Sequence, residues 1–183
     1  MKINSIIFAT SNQSKLDEAR NILGVRIKGT ALKIEEIQSL DPVKVATTKA
    51  RDYFERLKKP IVVEDVSLSF NALRGLPGTY INDFLQLLGN EGLLGLLEGN
   101  NDRTAAALTI VVYKDKLRGE HIFKGEMIGK ISQEIKGKNG FGWDQIFIPE
   151  GSTKSLAEMS LEEKNNYSMR AKAFKAFSKW LSS

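Results

Sequence analysis

The stretch Ile61–Phe84, IVVEDVSLSFNALRGLPGTYINDF, changes physical character three times in 24 residues and constrains the rest of the chain. Ile61, Val62 and Val63 form a short β-branched run suited to a strand in the middle of a sheet. Glu64 and Asp65 follow at once. Two adjacent carboxylates at the mouth of a hydrophobic strand repel each other and lose hydration, so the position is poor for stability unless a cation or a reaction uses them. A metal or general-base site is one reading, and a strand that ends in solvated acids is the other. Leu73-Arg74-Gly75-Leu76-Pro77-Gly78 then breaks regular structure, with Gly75 and Gly78 able to take positive φ and Pro77 fixing the chain between them. A helix start follows.

A chain of 183 residues is long enough for one domain, 1–183, with one or two lobes, and buries roughly 70% of its unfolded surface. It contains no cysteine, which excludes disulfides and thiolate metal sites and fits a reducing compartment, so cytoplasm is the expected location. The apolar run Ile6–Ala9 is too short for a signal segment, and no stretch approaches a membrane span, so no membrane association is expected. Lysine and arginine number 27 against 22 acids, a net charge of +5, which favours polyanionic partners. The cations are scattered among acids, as in Lys114–Glu120, and read mostly as a mixed solvated surface.

Ser5–Ala9 reads as a first strand, and Thr10, Ser11 and Asn12 are capping residues before a helical pattern at Leu16, Ala19, Ile22 and Leu23. A strand that feeds a helix N-terminus presents free amides that bind phosphate. Lys15 lies in the first turn, where the helix dipole disfavours a cation, so an anion nearby or plain solvent exposure must account for it. Leu32–Gln38 alternates weakly and is expected to form a second strand ending near Glu35 and Glu36. Pro42–Leu57 is expected as a helix capped by Asp41, with Val43, Ala46, Ala50, Tyr53, Phe54 and Leu57 as its apolar stripe. Lys49 edges that stripe and either snorkels or reaches a charged ligand.

Phe84–Leu88 and Leu93–Leu97 read as two short helices split at Gly89-Asn90. Ala105–Tyr113 is the strongest strand, with His121–Ile131 as its partner across a polar turn. His121, the only histidine, is expected as a cross-strand residue rather than a ligand. Residues Lys136–Pro149 read as a loop whose Phe141 and Trp143 either meet a planar ligand or plug the core. Ser160 opens a capping box with Glu163, and Met169, Ala173, Phe177 and Trp180 stripe the last helix. The residues predict one α/β unit with a mixed sheet.

FATSNQSKLDEA (8–19), VEDVSLSFNALRGLPGTYI (63–81), FGWDQIF (141–147) and LAEMSLEEKNNYSMRAKA (156–173), in that order, resemble the inosine triphosphate pyrophosphatase family across the whole chain. The resemblance implies an elongated α/β fold with a mixed β-sheet flanked by helices, two lobes around a nucleotide cleft, a homodimer, and dependence on Mg²⁺. It implies hydrolysis of ITP, dITP and XTP. Thr10, Ser11, Asn12 and Lys15 would bind the triphosphate, with Lys49 as a further cation; Asp65, assisted by Glu64, would hold the metal or activate water. Glu36 matches the family's metal-binding glutamate, with Glu35 as competitor. Phe141 would stack on the base, Trp143 and Asp144 would line its pocket, and Lys164, Ser168, Met169 and Arg170 would lie at its edge.

The implied chemistry is attack of an activated water on the α-phosphorus, releasing the monophosphate and pyrophosphate. Two departures from the family pattern stand out. Met169 occupies the place of a histidine, and Gln145 follows Asp144 where proline is usual, which predicts a less rigid loop. The rival readings are a septum-inhibitor-like pyrophosphatase with another base preference and a nucleotide- or nucleic-acid-binding module without turnover. No helix-turn-helix, zinc or RNP-like pattern supports stable nucleic-acid binding.

Overall fold

The computed structural model describes residues 5–183. Strand β1, Ser5–Ala9, runs into helix α1, Gln13–Leu23, through the cap at Asn12, as the sequence predicts. The second strand is displaced from its expected place. β2 is Arg26–Thr30, parallel to β1, while residues 31–40 form neither helix nor strand. The sequence Arg26-Ile27-Lys28-Gly29-Thr30 carries little β-propensity of its own, and pairing along β1 overrides that. Gly29 is needed there, because a Cβ would stand 2.8 Å from Leu16 Cδ1 and 3.0 Å from the Thr10 carbonyl oxygen. The 31–40 stretch is tied instead to helix α2, Pro42–Leu57: the Tyr53 hydroxyl accepts from the Leu32 amide at 3.1 Å, and Arg56 donates to the Lys33 carbonyl at 2.7 Å.

Asp41 caps α2 through the amides of Val43 and Lys44, and Pro42 opens the helix. Its buried face is Val45, Ala46, Thr47, Ala50 and Tyr53, so the expected stripe holds at Ala46, Ala50 and Tyr53, while Val43, Phe54 and Leu57 are only partly buried.

Strand β3 is Ile61–Phe70. The expectation that it ends at Val63 is therefore corrected: Glu64 and Asp65 lie inside the strand, with apolar residues buried on either side. After β3 come a 3₁₀ turn at Asn71–Leu73 and a two-residue strand β4, Pro77–Gly78, antiparallel to it. The predicted break in the chain is borne out by Gly75 at φ 97° and Gly78 at φ 61°. Helix α3, Ile81–Gly95, is interrupted by non-helical Gly89, which matches the expected split. β5 is Thr104–Lys114 and β6 is Glu120–Ile131. β7, Phe147–Pro149, was expected as loop; it pairs antiparallel with β6. Helices α4, Leu161–Tyr167, and α5, Met169–Leu181, complete the chain, with the predicted Ser160–Glu163 capping box present.

The strands form a mixed seven-stranded sheet in the order β2-β1-β3-β5-β6-β7, with β4 on β3. The backbone divides into two units. Of the described residues, one contains 5–65, 109–125 and 170–183, and the other 66–108 and 126–169. The first has a core of Ile6, Phe8, Leu16, Ile27, Val62, Val111, Phe174 and Phe177. The second is built on Leu68, Phe70, Ile81, Leu93, Ala107, Ile146, Phe147 and Met169. Among the described residues no helix is long and apolar enough to cross a membrane.

Gly129 sits opposite Pro149 in the β6/β7 ladder, and a Cβ there would meet the Ile148 carbonyl oxygen at 2.3 Å. Gly129→Ala is expected to cost about 2 kcal/mol or more, since backbone must move to admit the methyl group. Urea unfolding checks this through a lower midpoint at unchanged slope.

Candidate active site

In the first unit the site begins at the β1–α1 turn. Asn12 Oδ1 accepts the Lys15 amide at 3.2 Å, and the Asn12 amide donates to Thr10 Oγ1 at 3.1 Å, which fixes the turn at the helix N-terminus. No acid lies in the first turn of α1, yet the anion expected beside Lys15 is present. Its Nζ is 3.8 Å from Glu64 Oε1.

Glu64 is 3% exposed, and its Oε1 accepts Arg170 Nε at 3.0 Å and lies 2.9 Å from Arg170 Nη2. Burial alone would raise its pKa, but the charges of Arg170 and Lys15 and the Arg170 hydrogen bond outweigh it and hold the carboxyl below the usual range. Arg170, 4% exposed, also donates through Nη1 to Glu18 Oε2 at 2.5 Å. Arg170, expected at a base edge, is thus spanned between two buried carboxylates. Sequence reasoning missed Glu18. The available signal was a carboxylate on the apolar face of α1, between Leu16 and Leu23.

Asp65 is in the opposite condition. Successive side chains of a strand alternate in direction, so the neighbour of an arginine-paired Glu64 does not share its partner. Asp65 is 8% exposed, its Oδ2 has no hydrogen-bond partner, and burial pushes its pKa up to about 6 against the pull of Lys49 and Lys15, with Glu36 and Glu64 adding to the rise. Glu36 forms a 2.5 Å ion pair with Lys49 Nζ. Of the competing glutamates, Glu36 is the one whose charge reaches Asp65; Glu35 lies with Lys33, Asp52, Glu55 and Arg56. Glu64 Oε2 is also buried without a hydrogen-bond partner. Among the described residues no cluster of three or more acidic, histidine or cysteine side chains forms a ready metal cage. Orphaned carboxylate oxygens on Asp65 and Glu64, with Glu36 close enough to act on Asp65, nonetheless suit a hard cation that keeps waters and takes phosphate oxygens.

In the second unit the loop 136–146 builds a separate cluster. Asp144, 5% exposed, accepts from the Phe141 amide and from Lys164 Nζ through Oδ2, each at 2.8 Å. Lys164 Nζ lies 4.9 Å from the Phe141 ring centroid, within cation–π range. Gly140, at φ 74°, is required because a Cβ would stand 2.2 Å from Asp144 Oδ2. The two aromatics part company: Phe141 is half-buried, while Trp143 is packed into the core with its ring 5.4 Å from Phe147. Ser168 ends α4 with its amide on the Lys164 carbonyl, and Met169 is buried in the core of this unit. Gln145 does not loosen the loop. Its Nε2 donates to the Gly137 carbonyl and its Oε1 accepts from Asn90 Nδ2, each at 3.1 Å. His121 stands on β6, the strand expected for it, with its ring 4.3 Å from that of Trp180.

Residues 6–180 match the model of the Ham1 family. The dITP/XTP pyrophosphatase of Methanopyrus kandleri is 40% identical over 178 residues, which is 96% of this chain and 95% of that protein. The inosine triphosphate pyrophosphatase of Candida glabrata is 37% identical over 191 residues, 99% of each. The solved Ham1 protein of Coxiella burnetii superposes with a TM-score of 0.86 at 28% identity, over 98% of this chain and 99% of that one. The Ham1 protein of Staphylococcus aureus gives 0.85 at 27%, over 97% and 98%.

Removing the cation from the Glu18–Arg170–Glu64 group leaves buried carboxylates uncompensated, so Arg170→Met is expected to cost about 3–5 kcal/mol at pH 7. The folded pKa of Glu64 is depressed, so its contribution is present above the unfolded value of 4.5 and is lost as pH falls through the depressed value. The deficit of Arg170→Met, followed by urea unfolding, therefore narrows as the pH is lowered through about 4.5.

Proposed function

The chain belongs to the Ham1 family, and from that premise we infer that it hydrolyses non-standard purine nucleoside triphosphates, ITP, dITP and XTP, to the monophosphate and pyrophosphate. The observation that carries this reading is the pair of adjacent buried carboxylates in unlike states, Glu64 compensated by Arg170 and Asp65 poised near 6 beside two lysines. Such a pairing separates a group that stays charged from one that exchanges a proton near neutral pH.

The N-terminal amides of α1, the turn residues Thr10, Ser11 and Asn12, and Lys15 take the phosphates, with Lys49 as a second cation. Mg²⁺, held by Asp65 and Glu36, would polarise the phosphate oxygens and lower the pKa of water. Asp65 Oδ2, which has no other hydrogen-bond partner, accepts the proton of the attacking water. The water oxygen bonds to the α-phosphorus, the bond to the bridging oxygen breaks, and the lysines neutralise the departing pyrophosphate. Glu64, kept ionised by Arg170, steadies Lys15.

For the base, Phe141 offers a stacking face and Asp144 fixes both the Phe141 amide and Lys164. The Lys164 ammonium presents only donors, which a 6-keto oxygen accepts and a 6-amino group does not, and such mismatches discriminate strongly. The same proposal includes a cytoplasmic homodimer; α3 leaves Leu87 82% and Leu88 44% exposed, an apolar face that a second copy would cover.

Phosphorus NMR of ITP and ATP incubated separately with the protein and Mg²⁺ tests the assignment. The expected outcome is IMP and pyrophosphate from ITP, ATP largely spared, and Asp65→Asn slower by about 100-fold or more. Release of IDP and orthophosphate would contradict attack at the α-phosphorus, and equal turnover of ATP would contradict the base preference. Asp65→Asn is also expected to unfold at a higher temperature at pH 8, because it removes a buried charge whose raised pKa makes ionisation costly there.

A further inference from the structure

Helix α3 breaks at Gly89, which adopts φ 66° and ψ −175°, and the chain restarts at Asn90. Asn90 is only 9% exposed and points its amide at the loop of the same unit that carries Phe141, Trp143 and Asp144. Its Nδ2 donates to the Gly142 carbonyl at 3.0 Å and to Gln145 Oε1 at 3.1 Å. Gln145 Nε2 passes the connection on to the Gly137 carbonyl at 3.1 Å. Gly137, at φ 82°, stands before the cluster, and Gly142, at φ 67°, lies between its two aromatic residues. Asn90 and Gln145 thus grip the loop at both of these hinges.

The direction of this relay is fixed. A backbone carbonyl only accepts, so Gln145 must turn its amino group to Gly137, and its oxygen then faces Asn90. Asn90 must turn its own amino group to two acceptors, and flipping either amide would set oxygen against oxygen. The arrangement has a cost: Asn90 Oδ1 is buried with no hydrogen-bond partner. A leucine at position 90 would fill a similar volume without that penalty but would take the donor away from the Gly142 carbonyl and from Gln145 Oε1, so what asparagine supplies there is the hold on the loop.

We propose that Asn90 and Gln145 are positioning residues, a two-amide brace that sets the pose of the Phe141–Asp144 loop and thereby the affinity and selectivity for the base. The proposal rests on the reading of that loop as the base-binding element. Asn90 and Gln145 touch no substrate; they act through Gly142 and Gly137.

The test uses the full chain in a Trp180→Phe background, so that Trp143 is the only tryptophan left of the two. Asn90→Leu cuts both bonds of Asn90, and Gln145→Glu keeps the acceptor for Asn90 while losing the donor to Gly137. Each is expected to raise KM for ITP about 5- to 10-fold, the value of one or two neutral hydrogen bonds, with kcat held within about twofold. The preference for ITP over ATP falls, and Trp143 emission shifts to the red with greater acrylamide quenching. Because the bonds act in series, the double variant is expected to be little worse than the poorer single one. Unchanged KM and unchanged Trp143 emission in both variants would overturn the proposal, as would a loss confined to kcat. If Asn90→Leu fails to fold, Gln145→Glu alone decides by the same two signals. If the parent protein leaves ITP intact, the reading of function fails by itself, and the brace is then judged on Trp143 emission alone, a shift sustaining it and no shift refuting it.

Discussion

The carboxylate part of the candidate site depends on the buried ion pair between Glu64 and Arg170. A carboxylate in the middle of a sheet strand has no water to solvate it, and stays ionised only if a fixed cation meets it at hydrogen-bonding distance. Arg170 does so from the first turn of α5, and is itself steadied on its other side by Glu18 from α1. One guanidinium therefore joins β3, α1 and α5 within a single unit. Asp65, one residue on, shares the burial but not the partner, so the two carboxylates of a Glu-Asp dipeptide part in their proton affinity.

Elements with strong local signals were legible in the sequence. The capped helices at Asn12, Asp41 and Ser160 start where their capping residues stand, and β1, β5 and β6 follow their apolar runs to within a residue or so. The elements that were not legible are those fixed by tertiary pairing. β2 is a charged, glycine-containing segment selected by its ladder with β1, and β7 is three residues long and exists only against β6. β3 was read too short because acids ordinarily end a strand, and nothing local announces that an arginine over a hundred residues later will neutralise one of them.

The candidate residues were legible as types, less so as partners. Lys15, Lys49, Glu36, Glu64 and Asp65 were singled out, and the structure links them within one unit by ion pairs and mutual charge effects. Phe141, Asp144 and Lys164 likewise meet in the other unit. Trp143 plugs the core, one of the two outcomes its loop left open, since nothing in a loop's composition distinguishes a ring that plugs from a ring that waits, and Met169 is buried as its place on the apolar stripe of the last helix predicts. Glu18 escaped notice because one acid on an apolar helix face looks like a flaw until its counter-charge is seen. Gln145 was read as a loss of rigidity, whereas its side chain ties the loop at two points.

The central claim is that Glu64 and Asp65 hold their protons differently because only one of them is paired. Carbon-13 NMR of the side-chain carboxyls of the metal-free protein, labelled at Asp and Glu and titrated with pH, tests this directly. The account predicts that Asp65 titrates near 6 while Glu64 remains ionised below 4.5. Asp65 titrating at its ordinary value near 3.8, or Glu64 protonating before Asp65, would contradict it.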